Sequence, residues 1–148
     1  MEPIAEPTAS HDLSRFHAAQ EAIYPQALAE LKGGRKETHW MWFVFPQVEG
    51  LGMSPMTQRY AIRSAGEARA YLEDPVLGPR LRACVEALLS VPDRSARQIM
   101  GTPDDMKLRS SLTLFAAVAD DPALFQKALA HFYGGQEDSR TLEQLAKW

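Results

Sequence analysis

Two short stretches of the chain gather side chains of the kinds that bind and activate small molecules. In "GGRKETHWMWFVFPQVEGLGMSP", Gly33 to Pro55, the cations Arg35 and Lys36 and the imidazole of His39 stand beside Trp40 and Trp42, with Gln47 following. A cationic donor, an imidazole and an indole together suit a planar or anionic ligand, which stacks on the ring and takes a neutralising hydrogen bond. In "GTPDDMKLRSSLTLF", Gly101 to Phe115, Asp104, Lys107 and Ser111 recur at i, i+3 and i+7. On a helix that spacing places a carboxylate, an ammonium and a hydroxyl on one side. Such a trio does acid–base or hydroxyl chemistry where buried neighbours shift its pKa values. The expected site is a pocket for a nucleotide-like or ADP-ribose-like small molecule, shared by the two segments. Arg35, Lys36, Trp42, Gln47, Lys107 and Ser111 would bind the ligand. Asp104 and His39 are the catalytic candidates, Asp104 activating water in a hydrolase.

Each group also has a plainer reading. Aromatic runs in small helical proteins are mostly core, which covers Trp40, Phe43 and Phe45. A solitary histidine such as His39 is more often a hydrogen-bonded structural residue than a catalyst. Asp104 and Asp105 suit a first helical turn through the helix dipole alone. On these terms the chain is a non-catalytic module that presents the aromatic segment to a protein partner.

Other chemistries have no motif. His11, His17, His39 and His131 show neither H-E-x-x-H nor paired Cys/His spacing, so no metal site is expected. Gly50 and Gly52 form no phosphate-cradling fingerprint, and no pattern calls for a cofactor. Cys84 lies on an apolar helical stripe and reads as packing.

The elements that must position these residues are helical. Leu13, Phe16, Ile23, Ala27 and Leu31 form one face, with Asp12 as N-cap, a break near Tyr24 at Pro25 and closure at Gly33-Gly34. Residues 36–45 are taken as a nearly all-apolar helix that Pro46 ends, since a single strand would have no partner. Short helices are expected around Tyr60 to Ile62 and Ala68 to Leu72. Asp74-Pro75 and Asp121-Pro122 each place a capping side chain before a proline suited to a first turn. Leu81, Cys84, Val85, Leu88 and Leu89 make one stripe, and Leu124, Phe125, Ala128, Leu129 and Phe132 another. Thr102-Pro103 opens the helix through Leu108, Leu112, Phe115 and Val118, and Asp138 caps a last one. Asp12, Arg15, Gln20 and Tyr24 read as the solvent face of the first helix. No segment alternates as a half-buried strand does.

Composition bounds the rest. At 148 residues the chain fits one domain, large enough to bury a core without disulfides or metal. The fold expected is an all-α, compact single-domain bundle of about six to eight helices over residues 12–148, after a flexible tail over residues 1–11. A single cysteine fits a reducing compartment, and the acidic, proline-bearing start lacks the form of a secretory signal. Without an apolar run of about 20 residues, the expectation is a cytoplasmic protein with no membrane partner. The net charge of −3 disfavours nucleic acid, whose binders carry a basic surplus.

"RKETHWMWFVFPQVEGLG" and "GTPDDMKLRSSLTLF", with "VLGPRL" between them and "FYGG" near the end, resemble the DUF1810 family of small bacterial proteins of unknown function. The resemblance spans about Asp12 to Leu145 and implies a compact all-α fold. It brings no activity, cofactor or catalytic set. Some members carry the label "calpastatin", but inhibitors of that kind are largely disordered polar repeats, unlike the core-forming stripes here. "RFHAAQEA" and "EDPVLGPRLRACVEALL" are loosely similar to the NADAR family, helical proteins that handle NAD-like and ADP-ribose-like ligands.

Overall fold

A computed structural model describes residues 11–148. The tail expected over residues 1–11 therefore lies, apart from His11, outside the described residues. These fold as ten helices with no named strand: α1 Ser14–Gln20, α2 Tyr24–Lys32, α3 Met41–Val44, α4 Pro55–Tyr60, α5 Ala65–Glu73, α6 Leu77–Leu89, α7 Ala96–Met100, α8 Asp104–Val118, α9 Ala123–Tyr133 and α10 Ser139–Leu145. The all-α architecture is as the patterning requires. The count exceeds the expected range of six to eight, and α7, only five residues long, is the helix the patterning did not announce.

Aspartates hold the starts of several helices, but of Asp74, Asp121 and Asp138 only Asp138 is itself the N-cap, since α6 and α9 begin after Val76 and Pro122. Asp74 Oδ1 accepts from the amides of Val76 and Leu77, Asp121 Oδ1 accepts from Ala123, and Asp138 Oδ2 accepts from Thr141. Asp12 Oδ1 accepts from the Ser14 amide and so serves the start of α1. Pro25 stands in the first turn of α2, where a missing amide hydrogen costs nothing, and the chain breaks before it. α7 buries only a short apolar face, Ala96, Ile99 and Met100. It is opened by a reciprocal pair, with Ser95 Oγ accepting from Gln98 N and Gln98 Oε1 accepting from Ser95 N. α9 ends at Gly134, whose φ of 62° is a left-handed conformation that side chains resist.

α8 is the axis of the molecule, packing against α5, α7, α9 and α10, while α6 packs on α2, α5 and α9. Ser110 through Phe115 are all buried, so the middle of α8 is surrounded on every side. An aromatic chain crosses the core from Phe16 to Tyr71, Phe115 and Phe125, with ring centroids 5.1, 5.4 and 6.1 Å apart. Such contacts add to the burial of large rings, the main favourable term in folding. Cys84 is fully buried, and burial pushes its thiol up to about 12, in keeping with a packing role.

Two sequence expectations are corrected. Residues 36–45 are not one helix, because Lys36 to Trp40 form an irregular loop, bent at Thr38 and His39, and only Met41–Val44 turn. The solvent face assigned to α1 turns partly inward. Gln20 is buried and donates to Phe43 O (2.7 Å) and to the Tyr71 hydroxyl (3.0 Å), while Arg15 donates to Arg59 O, Ala61 O and Glu67. Periodicity could not show this, because Gln20 and Arg15 satisfy backbone carbonyls in and just after α3 and α4, far along the chain.

Candidate functional site

The loop that replaces the expected helix is held by one carboxylate. Glu30, on the buried side of α2, accepts from the amides of Glu37 (2.8 Å) and Thr38 (3.1 Å), the Thr38 hydroxyl (2.6 Å), the Trp40 indole (2.8 Å) and Gln26 (2.9 Å). Burial pushes the Glu30 carboxyl up, but the hydrogen bonds from Thr38, Glu37, Gln26 and Trp40 outweigh it and hold the group at about 2. Trp40 is thereby fixed deep in the core. Trp42 is half-buried and packs against the same cluster.

Lys36 is carried on this loop, and its own amide donates to Ile99 O of α7 (2.6 Å). Its side chain, 8% exposed, runs to the start of α8. There the ammonium meets Asp104 Oδ2 at 3.0 Å, donates to Thr38 O at 2.7 Å and lies 5.0 Å from the Trp40 ring centre. Asp104 Oδ1 in turn faces Lys107 at 3.7 Å. The two segments singled out in the sequence therefore meet, at a Lys36–Asp104–Lys107 chain.

Lys107 also lines a cavity of about 340 Å³ between three elements: the loop from Gln47 to Thr57, the first half of α8, and the start of α10. Gln47, Leu51, Met106, Lys107, Arg109 and Arg140 give it its character. The loop is anchored at its base by Gln47 O accepting from Ile62 N, and Glu49 N donating to Ile62 O. Gly50, at φ 92°, lies so close to the Gln144 side chain of α10 that any Cβ would collide with it. On the far side of Gly52 and Thr57 a second hollow of about 440 Å³ continues the concavity toward Met53 and Arg63.

α10 is locked to α8 beneath this cavity. Thr113 Oγ1 donates to Arg109 O (2.8 Å) and accepts from Asp138 N (2.9 Å), and Asp138 Oδ2 accepts from the Thr141 hydroxyl (2.6 Å). Arg109 projects from α8 over the Tyr133 ring, 5.9 Å from its centre, and comes within 3.9 Å of Asp138 Oδ1. Burial, then the nearby Asp105 charge, pushes the Tyr133 phenol well up, and its hydroxyl donates to Asp105 O.

The comparisons place these features in a family. The model of a protein family of unknown function, DUF1810, matches residues 10–145. The chain belongs to the DUF1810 family. It is similar to the conserved hypothetical protein Rv1873 from Mycobacterium tuberculosis, whose crystal structure superposes with a TM-score of 0.90 at 52% identity, covering 91% of this chain and 96% of that one. No curated protein matches it.

Within this DUF1810 chain the expected site residues fall into three groups. Lys36, Asp104 and Lys107 are joined, and Gln47 and Lys107 line one cavity. Arg35 and His39 are exposed on the loop, Arg35 lining a separate shallow hollow with Glu30 and Glu37. Ser111 is fully buried with its hydroxyl unpartnered, and its neighbour Ser110 reaches the cavity instead. Sequence reasoning passed over Glu30, Arg109 and Arg140. A signal existed for two of them, since Glu30 interrupts the apolar stripe of Ala27 and Leu31, and Arg109 sits between Leu108 and Leu112.

Proposed function

We propose that this protein binds a nucleotide-like or ADP-ribose-like small molecule in the cavity between the Gln47–Thr57 loop, α8 and α10. The observation that carries the reading is local charge. In a chain of net charge −3, the lining holds three cations, Lys107, Arg109 and Arg140, against the single carboxylate of Asp138. That surplus suits an anionic group, and the volume of about 340 Å³ falls within the range of small-ligand sites. Met106, 57% exposed, and Leu51 supply an apolar lip for a planar moiety, and the adjoining hollow gives a longer ligand room.

In the hydrolase form of this reading Asp104 activates water. Both of its oxygens face lysines, so that role requires a ligand phosphate to draw Lys107 away. The test is a titration of the protein with ADP, ADP-ribose and adenosine, followed by calorimetry and thermal unfolding. Binding of the phosphorylated ligands with a rise in melting temperature supports the reading. Indifference to all three at millimolar concentration removes it. Chromatography of the same mixtures separates binding from turnover.

A second reading, a protein-interaction module, has one observation in its favour. Met53 is 83% exposed and Met106 57% exposed, on hollows that share Gly52 and Thr57. Methionine adapts readily to a partner surface. Replacing both by serine abolishes capture of a partner under this reading and leaves nucleotide binding largely intact.

A further inference from the structure

Arg109 differs from the other arginines that face inward. Arg15, Arg80 and Arg94 each donate to a carbonyl, a carboxylate or an amide oxygen. Arg109, with a side chain only 28% exposed, has a buried Nε without a partner among the described residues. Its one carboxylate neighbour, Asp138 Oδ1, stands at 3.9 Å, beyond hydrogen-bond range, because Asp138 Oδ2 is committed to capping α10. Nε has almost no accessible surface, so the donors left for a ligand in the cavity are the two Nη groups at the end of the side chain. The Tyr133 ring lies beside Arg109, its centre 5.9 Å from the guanidinium carbon.

We infer that Arg109 is the phosphoryl-recognition residue of the cavity, pairing its fork with two oxygens of one phosphate group of the ligand. This rests on the binding reading above and names the ligand's anionic part and the residue that selects it. A planar fork matches phosphate in a way that an ammonium does not. Lys107 and Arg140, on the same lining, flank that position as further cationic groups. The Lys36–Asp104 pair sets Lys107, since Asp104 faces both ammonium groups. The site therefore takes a di- or trianionic phosphoryl group and places the remainder of the ligand against Met106 and Leu51.

The experiment uses inorganic pyrophosphate, ADP and adenosine as probes. In the wild-type protein, pyrophosphate and ADP shift the Arg109 Nε–H resonance in side-chain-detected nuclear magnetic resonance, and adenosine does not. Arg109→Gln weakens pyrophosphate and ADP binding by about tenfold to a hundredfold, the size expected of a charge-assisted pair. Arg109→Lys fails to restore it. Full affinity in Arg109→Lys, or an Arg109 signal that ignores bound pyrophosphate, overturns the fork. ADP binding that survives Arg109→Gln unchanged sinks the role of Arg109 and leaves the cavity reading standing. A wild-type protein that binds none of the probes overturns both. The resonance measurement needs no variant, so it decides the matter even where a substitution disturbs folding.

Discussion

Glu30 and Arg109 are both ionised groups drawn largely out of water, and they are treated in opposite ways. Glu30 is 6% exposed and receives five hydrogen bonds from Gln26, Glu37, Thr38 and Trp40. Arg109 has beside it a ring and a distant carboxylate, with its buried Nε unmatched. A charge whose partners all come from the chain is there to shape the chain. Among the described residues Arg109 has only Asp138, at 3.9 Å, and it stands where a cavity opens. The contrast separates scaffold from site more sharply than residue type, since each region mixes charge with aromatic rings.

The comparison breaks first at Glu30. Glu30→Ala strands the Trp40 indole and two loop amides, and lowers unfolding free energy by about 3 kcal/mol or more in urea titration. A loss below about 1 kcal/mol means that the loop does not depend on this carboxylate. Acid tests the same node without mutation. The folded Glu30 carboxyl is held at about 2 against an ordinary 4.5. Its contribution is complete above the ordinary value and is lost as pH falls from there toward 2, amounting to about 3 kcal/mol. Melting temperature measured across that window falls in the wild type and more gently in Glu30→Gln.

Smaller effects sharpen the other side. Lys36→Met removes the pairing with Asp104 and the contact over Trp40, lowering stability by about 1 to 2 kcal/mol. Ser111→Ala relieves a buried unpartnered hydroxyl in a helix, and denaturation should show a gain of up to about 1 kcal/mol. Arg109→Met leaves stability within about 1 kcal/mol of wild type, since little within the fold depends on its charge. A large destabilisation there would return Arg109 to the scaffold and erase the distinction from Glu30.

Asp74 and Asp121 fall just ahead of the N-caps Val76 and Pro122, but the all-α class, the cap at Asp138, the break before Pro25 and the stripes of α6 and α9 were all legible before any coordinates. They are local facts: an apolar period and a side-chain oxygen three residues from an amide act within one or two turns. The aromatic run from Trp40 to Phe45 was legible as core and was misjudged in shape. An uninterrupted apolar stretch carries no period, and what shaped Lys36 to Trp40 was a glutamate on another helix. α7 was missed although Ser95 and Gln98 spell a capping box, because five residues are too few to show a period.

The meeting of Lys36 with Asp104 and of Gln47 with Lys107 required residues some sixty positions apart to converge, and the sequence could nominate them only by chemical type. Spacing likewise placed Ser111 with Asp104 and Lys107, while the surrounding helices buried it and turned Ser110 to the cavity. Local free energies are written in neighbouring residues, so composition and period determine which helices form and where they stop. Whether a polar side chain is satisfied depends on groups that other segments bring to it. Only the packed molecule decided that Glu30 is complete and that Arg109 is not.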